Sequence, residues 1–321
     1  KYKGVDQRLG LLSLAGVKYI TVAHNSQVAK DVSSKGDVPY GVEKLSKKGN
    51  ITLYKNKYAL PFAYAYDSYM TEQQYEQLNG IGKEQAMLAQ IILNQHPTDK
   101  EIQHNEQRKD PDIQTISLPE TRISSPKGKK YADITVPVEK DKETYLYFKN
   151  LVYHGKKNGD DNFILTGRKG TKGILVTQND VQQKIHIQST FNPYYFGRKD
   201  YIVKINHQTS KAKEKVRLNF LSPGEYEFDD ISLITVPKKD VLARLKKRKE
   251  NSMKQIQYEG NHFRGVYHAK KDQILCVTIP YSKGWKATVN GNRTKIYKAN
   301  GMFMGIIMKK GTQSVKLDYE T

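Results

Sequence analysis

Short apolar runs with period-two alternation fill the chain from residue 118 onward, and they constrain the fold more than any other feature of the sequence. Between residues 118 and 237 such runs are separated by clusters of turn residues. Alternation places one face of a strand in a core and the other in solvent. About seven strands in about 120 residues predict a β-sandwich, here of a jelly-roll-like kind. The runs are Tyr131–Val136, Thr144–Phe148, Gly173–Thr177, Lys184–Gln188, Tyr201–Ile205, Val216–Phe220 and Ile231–Val236.

The last part of the chain carries two further turn signals. Asn290-Gly291 and Asn300-Gly301 lie ten residues apart, each between alternating apolar and polar residues. Asn-Gly accepts the positive φ angles of a type I′ turn, which joins two antiparallel strands tightly. We therefore expect residues 256–321 to form a small β-sandwich or meander. The only cysteine, Cys276, lies in an apolar run there, so we expect a buried free thiol.

The N-terminal third mixes helical and strand-like segments. Thr71 followed by Gln74 is typical of a capped helix start, and an apolar segment from about Lys83 to Asn94 predicts a second helix. Pro97 limits that helix, because proline disfavours helical backbone at the residue before it. We expect a mixed α/β part over residues 1–115.

A basic helix is predicted within residues 238–255, between the two β-rich parts. Val241, Leu242 and Leu245 give it one apolar stripe, which suits a connecting helix packed on a neighbouring domain. A nucleic-acid or membrane-surface helix is the other interpretation. The expected fold class is mainly β, with a smaller α/β N-terminal part, a central jelly-roll-like β-sandwich and a small C-terminal β-sandwich or meander. The four predicted units are 1–115, 116–237, 238–255 and 256–321.

Charge narrows the range of partners. Lys and Arg number 54 against 33 Asp and Glu, which gives a net charge of +21. A field of this size favours anionic partners. Lysine is spread over every segment, so we do not expect nucleic-acid binding. No stretch of about 18 apolar residues is present, and no signal sequence follows Lys1, so we expect a region cut from a longer protein.

Sequence motifs for catalysis and for cofactor binding are absent. The chain has no phosphate-binding glycine loop, no Gly-x-Ser-x-Gly elbow, no His-Glu-x-x-His and no Cys-x-x-Cys. Its 8 histidines show no ligand spacing. We therefore expect no catalytic residue, no metal and no cofactor within these 321 residues.

Aromatic residues next to turns are better candidates for binding, because exposed rings stack on sugars and tyrosine hydroxyls form hydrogen bonds. One group lies in a predicted loop between strands, a second at a strand end in the N-terminal part, and a third around the only tryptophan. For each group the alternative is that the rings close a hydrophobic core, and both interpretations stay open. The candidates are Tyr194, Tyr195 and Arg198, then Tyr66 and Asp67, then Tyr281 and Trp285.

Four segments near the two ends of the chain form a set. Leu11–Ile20 is a leucine-rich segment that continues as Gly-Val-Lys-Tyr, and Ala59–Tyr66 contains Leu-Pro before a tyrosine. Ile279–Lys286 contains Ile-Pro-Tyr-x-x-Gly-Trp, and Ala299–Ile306 contains Asn-Gly-x-Phe-x-Gly-Ile. Together, and in this order, they resemble the YfhO family, which consists of bacterial multi-pass membrane proteins. The central β region is similar in style but shares no motif.

The resemblance implies a function that composition does not. Members of the family resemble membrane glycosyltransferases that transfer sugar from a polyprenyl-phosphate carrier to lipoteichoic acid or a related polymer. The catalytic acid of such enzymes lies on a loop between membrane helices, outside the matching segments. The chain would then be an extracytoplasmic domain on the outer face of the bacterial plasma membrane, used for acceptor recognition or structural support.

The resemblance also implies partners. They are an anionic surface polymer such as teichoic acid, or a polyprenyl-linked sugar, together with the anionic membrane surface beside the parent protein. A second interpretation remains open, in which the chain is a non-catalytic ectodomain that binds carbohydrate or anionic polymer and has no enzymatic role.

Overall fold

Strands dominate the structure, a computed structural model of the chain. This confirms the expected fold class, which is mainly β with a smaller mixed part near the N-terminus. The structure describes residues 8–23, 39–97, 102–104, 112–116, 120–155, 173–178, 181–187, 197–205 and 213–320.

The N-terminal part contains short helices and short strands. They are α1 (Leu9–Leu14), β1 (Tyr19–Ala23), β2 (Val42–Lys48), β3 (Ile51–Asn56), β4 (Ala63–Tyr66), β5 (Ser68–Thr71), α2 (Glu72–Glu76), α3 (Gly80–Ala89), β6 (Ile91–Leu93) and β7 (Gln103–His104). β1, β3 and β2 form an antiparallel sheet. The expected helix cap is present, because the Thr71 hydroxyl accepts from the Gln74 N–H and the Gln74 side chain accepts from the Thr71 N–H.

The helix predicted to run to Asn94 is shorter in the structure. α3 ends at Ala89, and Ile91–Leu93 form strand β6 instead of a last helical turn. β6 is buried along its whole length and pairs in parallel with β5, where Tyr69 lies opposite Ile91. The apolar run continues the helical pattern in the sequence, but pairing with a strand that precedes both α2 and α3 stabilises the extended form.

The central part is a sandwich of two four-stranded antiparallel sheets, ordered β10-β16-β13-β14 and β15-β11-β18-β8. Leu146 and Phe148 of one sheet and Val216 and Phe220 of the other are fully buried in one shared core. The jelly-roll connectivity stays a prediction. The strands are β8 (Asp112–Ile116), β9 (Arg122–Ser125), β10 (Lys130–Pro137), β11 (Lys142–Lys149), β12 (Val152–Gly155), β13 (Gly173–Gln178), β14 (Val181–His186), β15 (Tyr201–Ile205), β16 (Lys213–Phe220), β17 (Gly224–Glu227) and β18 (Asp230–Pro237).

The C-terminal part follows a single long helix. Both expected Asn-Gly turns are present, with φ of 50° at Asn290 and 47° at Asn300. They join β22 to β23 and β24 to β25. The elements are α4 (Lys238–Glu250), β19 (Lys254–Glu259), β20 (His262–Ala269), β21 (Gln273–Val277), β22 (Trp285–Val289), β23 (Asn292–Thr294), β24 (Tyr297–Ala299), β25 (Phe303–Met308) and β26 (Gly311–Tyr319).

A seven-stranded sheet joins the N-terminal and C-terminal parts, in the order β4-β21-β25-β24-β6-β5-β7. Ala65 of β4 pairs with Leu275 of β21, and Ala299 of β24 pairs with Leu93 of β6. One face of this sheet packs on a second sheet, which has the order β19-β20-β26-β22-β23. Leu275 and Val277, on either side of Cys276, lie in the core between the two sheets. Residues 1–115 and 256–321 therefore share a sheet, and the division into four units stays a prediction.

Three helices fill the space between the seven-stranded sheet and the sandwich. α1, α3 and α4 pack against Tyr64 and Tyr66 of β4 and against Tyr145 and Ile234 of the sandwich. The predicted basic helix is present as α4, and its stripe faces inward with Leu245 fully buried. The four larger sheets and the three helices thus form a stack of sheet, sheet, helices, sheet and sheet.

A buried charged cluster lies where the helices meet the sandwich. Glu84 of α3 is 2% exposed and pairs with Arg8, whose Nη1 lies 3.3 Å from Glu84 Oε2. Glu143 of β11 is equally buried and lies 2.8 Å from Lys204 Nζ of β15. Tyr40 donates a hydrogen bond of 3.3 Å to the second oxygen of Glu143. Glu84 therefore ties α3 to the segment before α1, and Glu143 ties the sandwich to the N-terminal part through Tyr40.

Burial dominates the titration of Glu84. It raises the pKa of Glu84 from 4.5 to about 7, since the charged form is desolvated. Arg8 and Lys204 lower the pKa, whereas the nearby Glu143 raises it further. Burial therefore favours the neutral form of Glu84 over a wider pH range than in the unfolded chain.

The shared sheet predicts that residues 256–321 cannot fold alone. Without β4 and β6 this fragment would expose one edge of β21 and the apolar face that covers the helices, so we expect no cooperative unfolding transition. Residues 112–237 contain both sheets of the sandwich and should unfold cooperatively. Circular dichroism during heating of the two purified fragments tests both statements, and a sharp transition in 256–321 would contradict the first.

Glu84 predicts a pH-dependent stability. The unfolded chain releases this proton near pH 4.5 and the folded chain only near pH 7, so a rise in pH destabilises the folded state through this group. Between pH 5 and 8 the loss amounts to roughly 2 to 3 kcal/mol, at about 1.4 kcal/mol per pKa unit. Glu84→Gln should remove this part of the pH dependence and be the more stable protein at pH 8.

Urea unfolding at a series of pH values measures the effect. Glu76→Gln is the matched control, because Glu76 lies at the end of α2 and is largely exposed. The control should keep the pH slope of the unchanged protein. Equal slopes for all three proteins would show that Glu84 is ionised normally in the folded state.

Candidate functional site: the basic end of helix α4

The C-terminal end of α4 is fixed by a buried arginine. Arg248 is 2% exposed, and its Nη1 donates a 2.6 Å hydrogen bond to the backbone oxygen of Ala65. Its guanidinium lies 4.5 Å from the ring centroid of Tyr66. Tyr66 is fully buried and donates a 2.7 Å hydrogen bond to the backbone oxygen of Met87. Stacking and hydrogen bonding offset the cost of burying the charge, so α4 is held firmly on β4.

Asp67, which directly follows β4, binds side chains from α4 and from the start of β21. Lys247 Nζ lies 2.6 Å from Asp67 Oδ2, Gln273 donates a 2.7 Å hydrogen bond to Oδ1, and Lys271 Nζ lies 3.9 Å away. Burial raises the pKa of Asp67, but the hydrogen bonds from Lys247 and Gln273 outweigh it and leave the pKa below its usual value. Asp67 is thus an ionised anchor for lysines, not a proton donor.

These contacts hold a group of exposed lysines in one place, which we call the α4 basic surface. Lys249 Nζ donates a 2.6 Å hydrogen bond to the backbone oxygen of Lys57, which brings the neighbouring loop to the helix end. Asp67 pairs with Lys247 and lies near Lys271, and Glu43 pairs with Lys57, so these two acids offset only part of the positive charge. The α4 basic surface consists of Lys57, Lys246, Lys247, Lys249 and Lys271. Chemically it suits the binding of an anion with many charges.

The predicted aromatic loop is only partly within the described residues. Tyr194 and Tyr195 lie outside them. Arg198 is exposed, its Nε donates a 3.0 Å hydrogen bond to the Asp200 backbone, and its guanidinium lies 4.7 Å from the ring centroid of Tyr201. Arg198 thus closes a turn at the start of β15. A ligand-binding role for these three residues stays a prediction.

Tyr281 and Trp285 lie at one end of the C-terminal sheets. Trp285 is half-buried, and its ring stands edge-on to Tyr319 with centroids 5.2 Å apart. It packs against the core between the two sheets, as the core interpretation expects. Tyr281 is exposed, and its N–H donates a 2.8 Å hydrogen bond to the Met302 backbone oxygen. Binding of a ligand by either ring stays a prediction.

The predicted residues do not form one site. Tyr66 and Asp67 are neighbours at the α4 basic surface, but Tyr66 has no exposed surface that a ligand could reach. The side chains of β4 alternate, so Tyr66 faces the helices while Ala65 faces the core in which Trp285 packs. Tyr66 and Trp285 therefore lie on opposite faces of the seven-stranded sheet.

Sequence reasoning missed Arg248 and Glu84. Arg248 lies three residues after Leu245 and seven after Val241, so the helical period places it on the same buried face as the apolar stripe. The spacing alone therefore predicts that Arg248 is buried. Glu84 lies between Ile81 and Leu88 on the buried face of α3, where the same period applies.

Other kinds of site are not seen among the described residues. In that part of the chain no three His, Cys, Asp or Glu side chains lie close enough to hold a metal ion, and no helix there has the length and apolarity to cross a membrane. A cavity of about 220 Å³ lies at the edge of the sandwich, which is smaller than the pockets of about 300 Å³ or more that take most ligands. It is lined by Ile113, Gln114, Pro137, Glu139, Lys142, Leu233 and Thr235.

Similarity to solved structures is low. The arabinofuranosyltransferase AftD from mycobacteria has a TM-score of 0.21 and 12% identity, over 53% of this chain and 12% of that one. Dimeric latent PorU from Porphyromonas gingivalis has a TM-score of 0.24 and 8% identity, over 94% of this chain and 31% of that one.

Similarity in sequence is more extensive. YfhO of Bacillus subtilis (strain 168) is 27% identical over 333 residues, which cover 99% of this chain. The chain spans 34% of the length of that relative. The family described as bacterial membrane protein YfhO matches residues 1–321, the whole chain. The chain therefore belongs to the YfhO family of bacterial membrane proteins.

Proposed function

We propose that the chain is the extracytoplasmic domain of a glycosyltransferase-like membrane protein and that it binds the polymer that receives the sugar. The polymer is an anionic chain of phosphate-linked units, such as lipoteichoic acid. The chemistry takes place in another part of the protein, and this domain holds the acceptor near it.

The α4 basic surface is the observation that carries the proposal. Lys246, Lys247 and Lys249 project from a helix end that the buried Arg248 and Tyr66 hold in place, so little ordering is needed when a ligand binds. Lys57 accepts the Lys249 hydrogen bond and Lys271 lies near Asp67, so both stay close to that helix end. Lysine is a compact point charge that pairs with successive phosphates without demanding one fixed geometry, which suits a flexible polymer. The net charge of +21 adds long-range attraction for the same class of ligand.

The side chains in the described residues support a binding role more than a catalytic one. Glu84 has a raised pKa of about 7, as a general acid often does, but it is 2% exposed and pairs with Arg8 inside the fold. Asp67 is accessible but its pKa is lowered by Lys247 and Gln273. We therefore assign the transfer step to the parent protein outside this chain.

Binding to a lipid-free polymer tests the proposal. The triple change Lys246→Gln, Lys249→Gln and Lys271→Gln should weaken binding of deacylated lipoteichoic acid about tenfold at low salt, at about 0.5 kcal/mol for each exposed ion pair. Titration calorimetry of the 321-residue chain measures the affinity. Binding should also weaken as salt rises, because exposed charges are screened.

The matched control removes three exposed lysines from the sandwich: Lys129→Gln, Lys130→Gln and Lys215→Gln. It lowers the net charge equally, so we expect less than a twofold change, within the scatter of exposed charge effects. Equal weakening in both variants would show that the polymer is attracted by the overall charge and does not bind specifically at the α4 basic surface. Absence of binding at low salt would reject acceptor recognition.

A separate measurement addresses the glycosyltransferase part. Lipoteichoic acid isolated from cells that lack the parent gene should carry less sugar than polymer from unchanged cells. An unaltered sugar content, together with polymer binding in the calorimeter, would support the alternative, an ectodomain that binds anionic polymer without an enzymatic role.

A further inference from the structure

We propose that one end of the seven-stranded sheet rests on the headgroup region of an anionic membrane. This is the end at which β4 begins and β21 ends. The proposal concerns a different surface from the α4 basic surface, and it does not depend on polymer binding there.

Two aromatic rings stand exposed at this end. Phe62, which precedes β4, is 53% exposed, and Tyr258 of β19 is 51% exposed. Their ring centroids lie 6.1 Å apart, so the two rings form one apolar surface. The backbone oxygen of Phe62 accepts a 2.8 Å hydrogen bond from the N–H of Thr278, which fixes it to the end of β21.

Two more exposed side chains lie at the same end of the sheet. Met302, just before β25, is 57% exposed, and Tyr281 follows β21 closely. The 2.8 Å hydrogen bond from the Tyr281 N–H to the Met302 backbone oxygen joins their loops. We call Phe62, Tyr258, Tyr281 and Met302 the aromatic ledge. Large apolar side chains exposed together mark a contact surface more often than single ones do.

Lysines flank the aromatic ledge. Met253 donates a 3.0 Å hydrogen bond from its N–H to the Ala63 backbone oxygen, which places the exposed Lys254 alongside Phe62. Lys283 is exposed two residues after Tyr281. Aromatic rings at headgroup depth with lysines beside them are the usual composition of a protein surface that binds an anionic bilayer interface.

Two observations favour a membrane over a sugar polymer as the occupant. The chain belongs to a family of membrane proteins and spans 34% of the length of a relative, so a bilayer is close to this domain in the parent protein. Phe62 and Met302 also offer no polar group to sugar hydroxyls, whereas a carbohydrate site needs hydrogen bonds that fix orientation.

The single tryptophan allows a direct test. Trp285 lies four residues after Tyr281, and no other tryptophan in the chain contributes fluorescence. The 321-residue chain is mixed with vesicles of equal parts phosphatidylglycerol and phosphatidylcholine, in which the acyl chains are brominated near the headgroup. We expect cosedimentation with these vesicles and quenching of Trp285, and neither with vesicles of pure phosphatidylcholine.

Paired variants then locate the contact. Phe62→Ser with Tyr258→Ser should lower the vesicle partition coefficient about tenfold, because two rings leave the interface. The control is Tyr131→Ser with Ile113→Ser, since these side chains on the sandwich are 54% and 52% exposed. The control should change the coefficient less than about twofold, because neither residue lies at the ledge.

Several results would overturn the proposal. Vesicle binding without quenching would place the contact elsewhere on the chain. Unchanged binding in both double variants would show attraction by charge alone, and equal losses in both would show that the contact is not specific to the ledge. Absence of binding to anionic vesicles would remove the membrane contact. If the ledge variant instead weakens binding of deacylated lipoteichoic acid and leaves vesicle binding unchanged, the ledge binds polymer. Quenching is measured on the unchanged chain, so it does not depend on how the variants fold.

Discussion

Pairing of β4 with β21, and of β6 with β24, is the constraint on which the rest of the structure depends. It assembles one sheet from segments near the two ends of the chain. That sheet provides the surface for two cores, one toward the five-stranded sheet and one toward the helices. α4 can sit between this sheet and the sandwich only because both are in place. The lysines at the end of α4 are therefore positioned by hydrogen bonds from Arg248 to Ala65 and from Lys249 to Lys57, which join residues 183 and 192 positions apart in sequence.

Local signals in the sequence predicted the local parts of this structure. α4 spans Lys238–Glu250, and the Asn290 and Asn300 turns have the φ angles that their residue types favour. The strands of the sandwich follow from alternation, because one face of each is buried. The prediction of a helix over Ile91–Leu93 was wrong. These residues form a strand because they pair with β5, and the spacing of apolar residues contains no information about that pairing. The shared sheet was not predicted for the same reason, because the local sequence of a strand does not identify the distant strand with which it pairs.

The candidate site was predicted only in part for a related reason. Asp67 was singled out, but Lys247, Lys271 and Gln273 reach it from segments far along the chain. Tyr66 was offered either as a ligand platform or as a core residue, and the structure places it beneath Arg248 without solvent contact. The period of α4 could have placed Arg248 inward, yet nothing in the sequence identifies Tyr66 as its partner. The buried side chains of Arg248 and Glu84 lie in the helical layer, where a wrong packing would leave them unpaired at a large cost in free energy.

The shared sheet also sets an order of events during synthesis. A ribosome delivers β4, β5 and β6 long before residues 273–308, which hold the strands that pair with them. Until then these strands have unpaired edges, and unpaired edges promote association between chains. The sandwich, which lies between these strands in sequence, has its own core and can fold before residues 273–308 are synthesised. Closure of the long loop is then the late and slow step, as expected when contacts are distant in sequence. A chain whose synthesis stops before residue 273 would therefore contain a folded sandwich but no partners for β4 and β6.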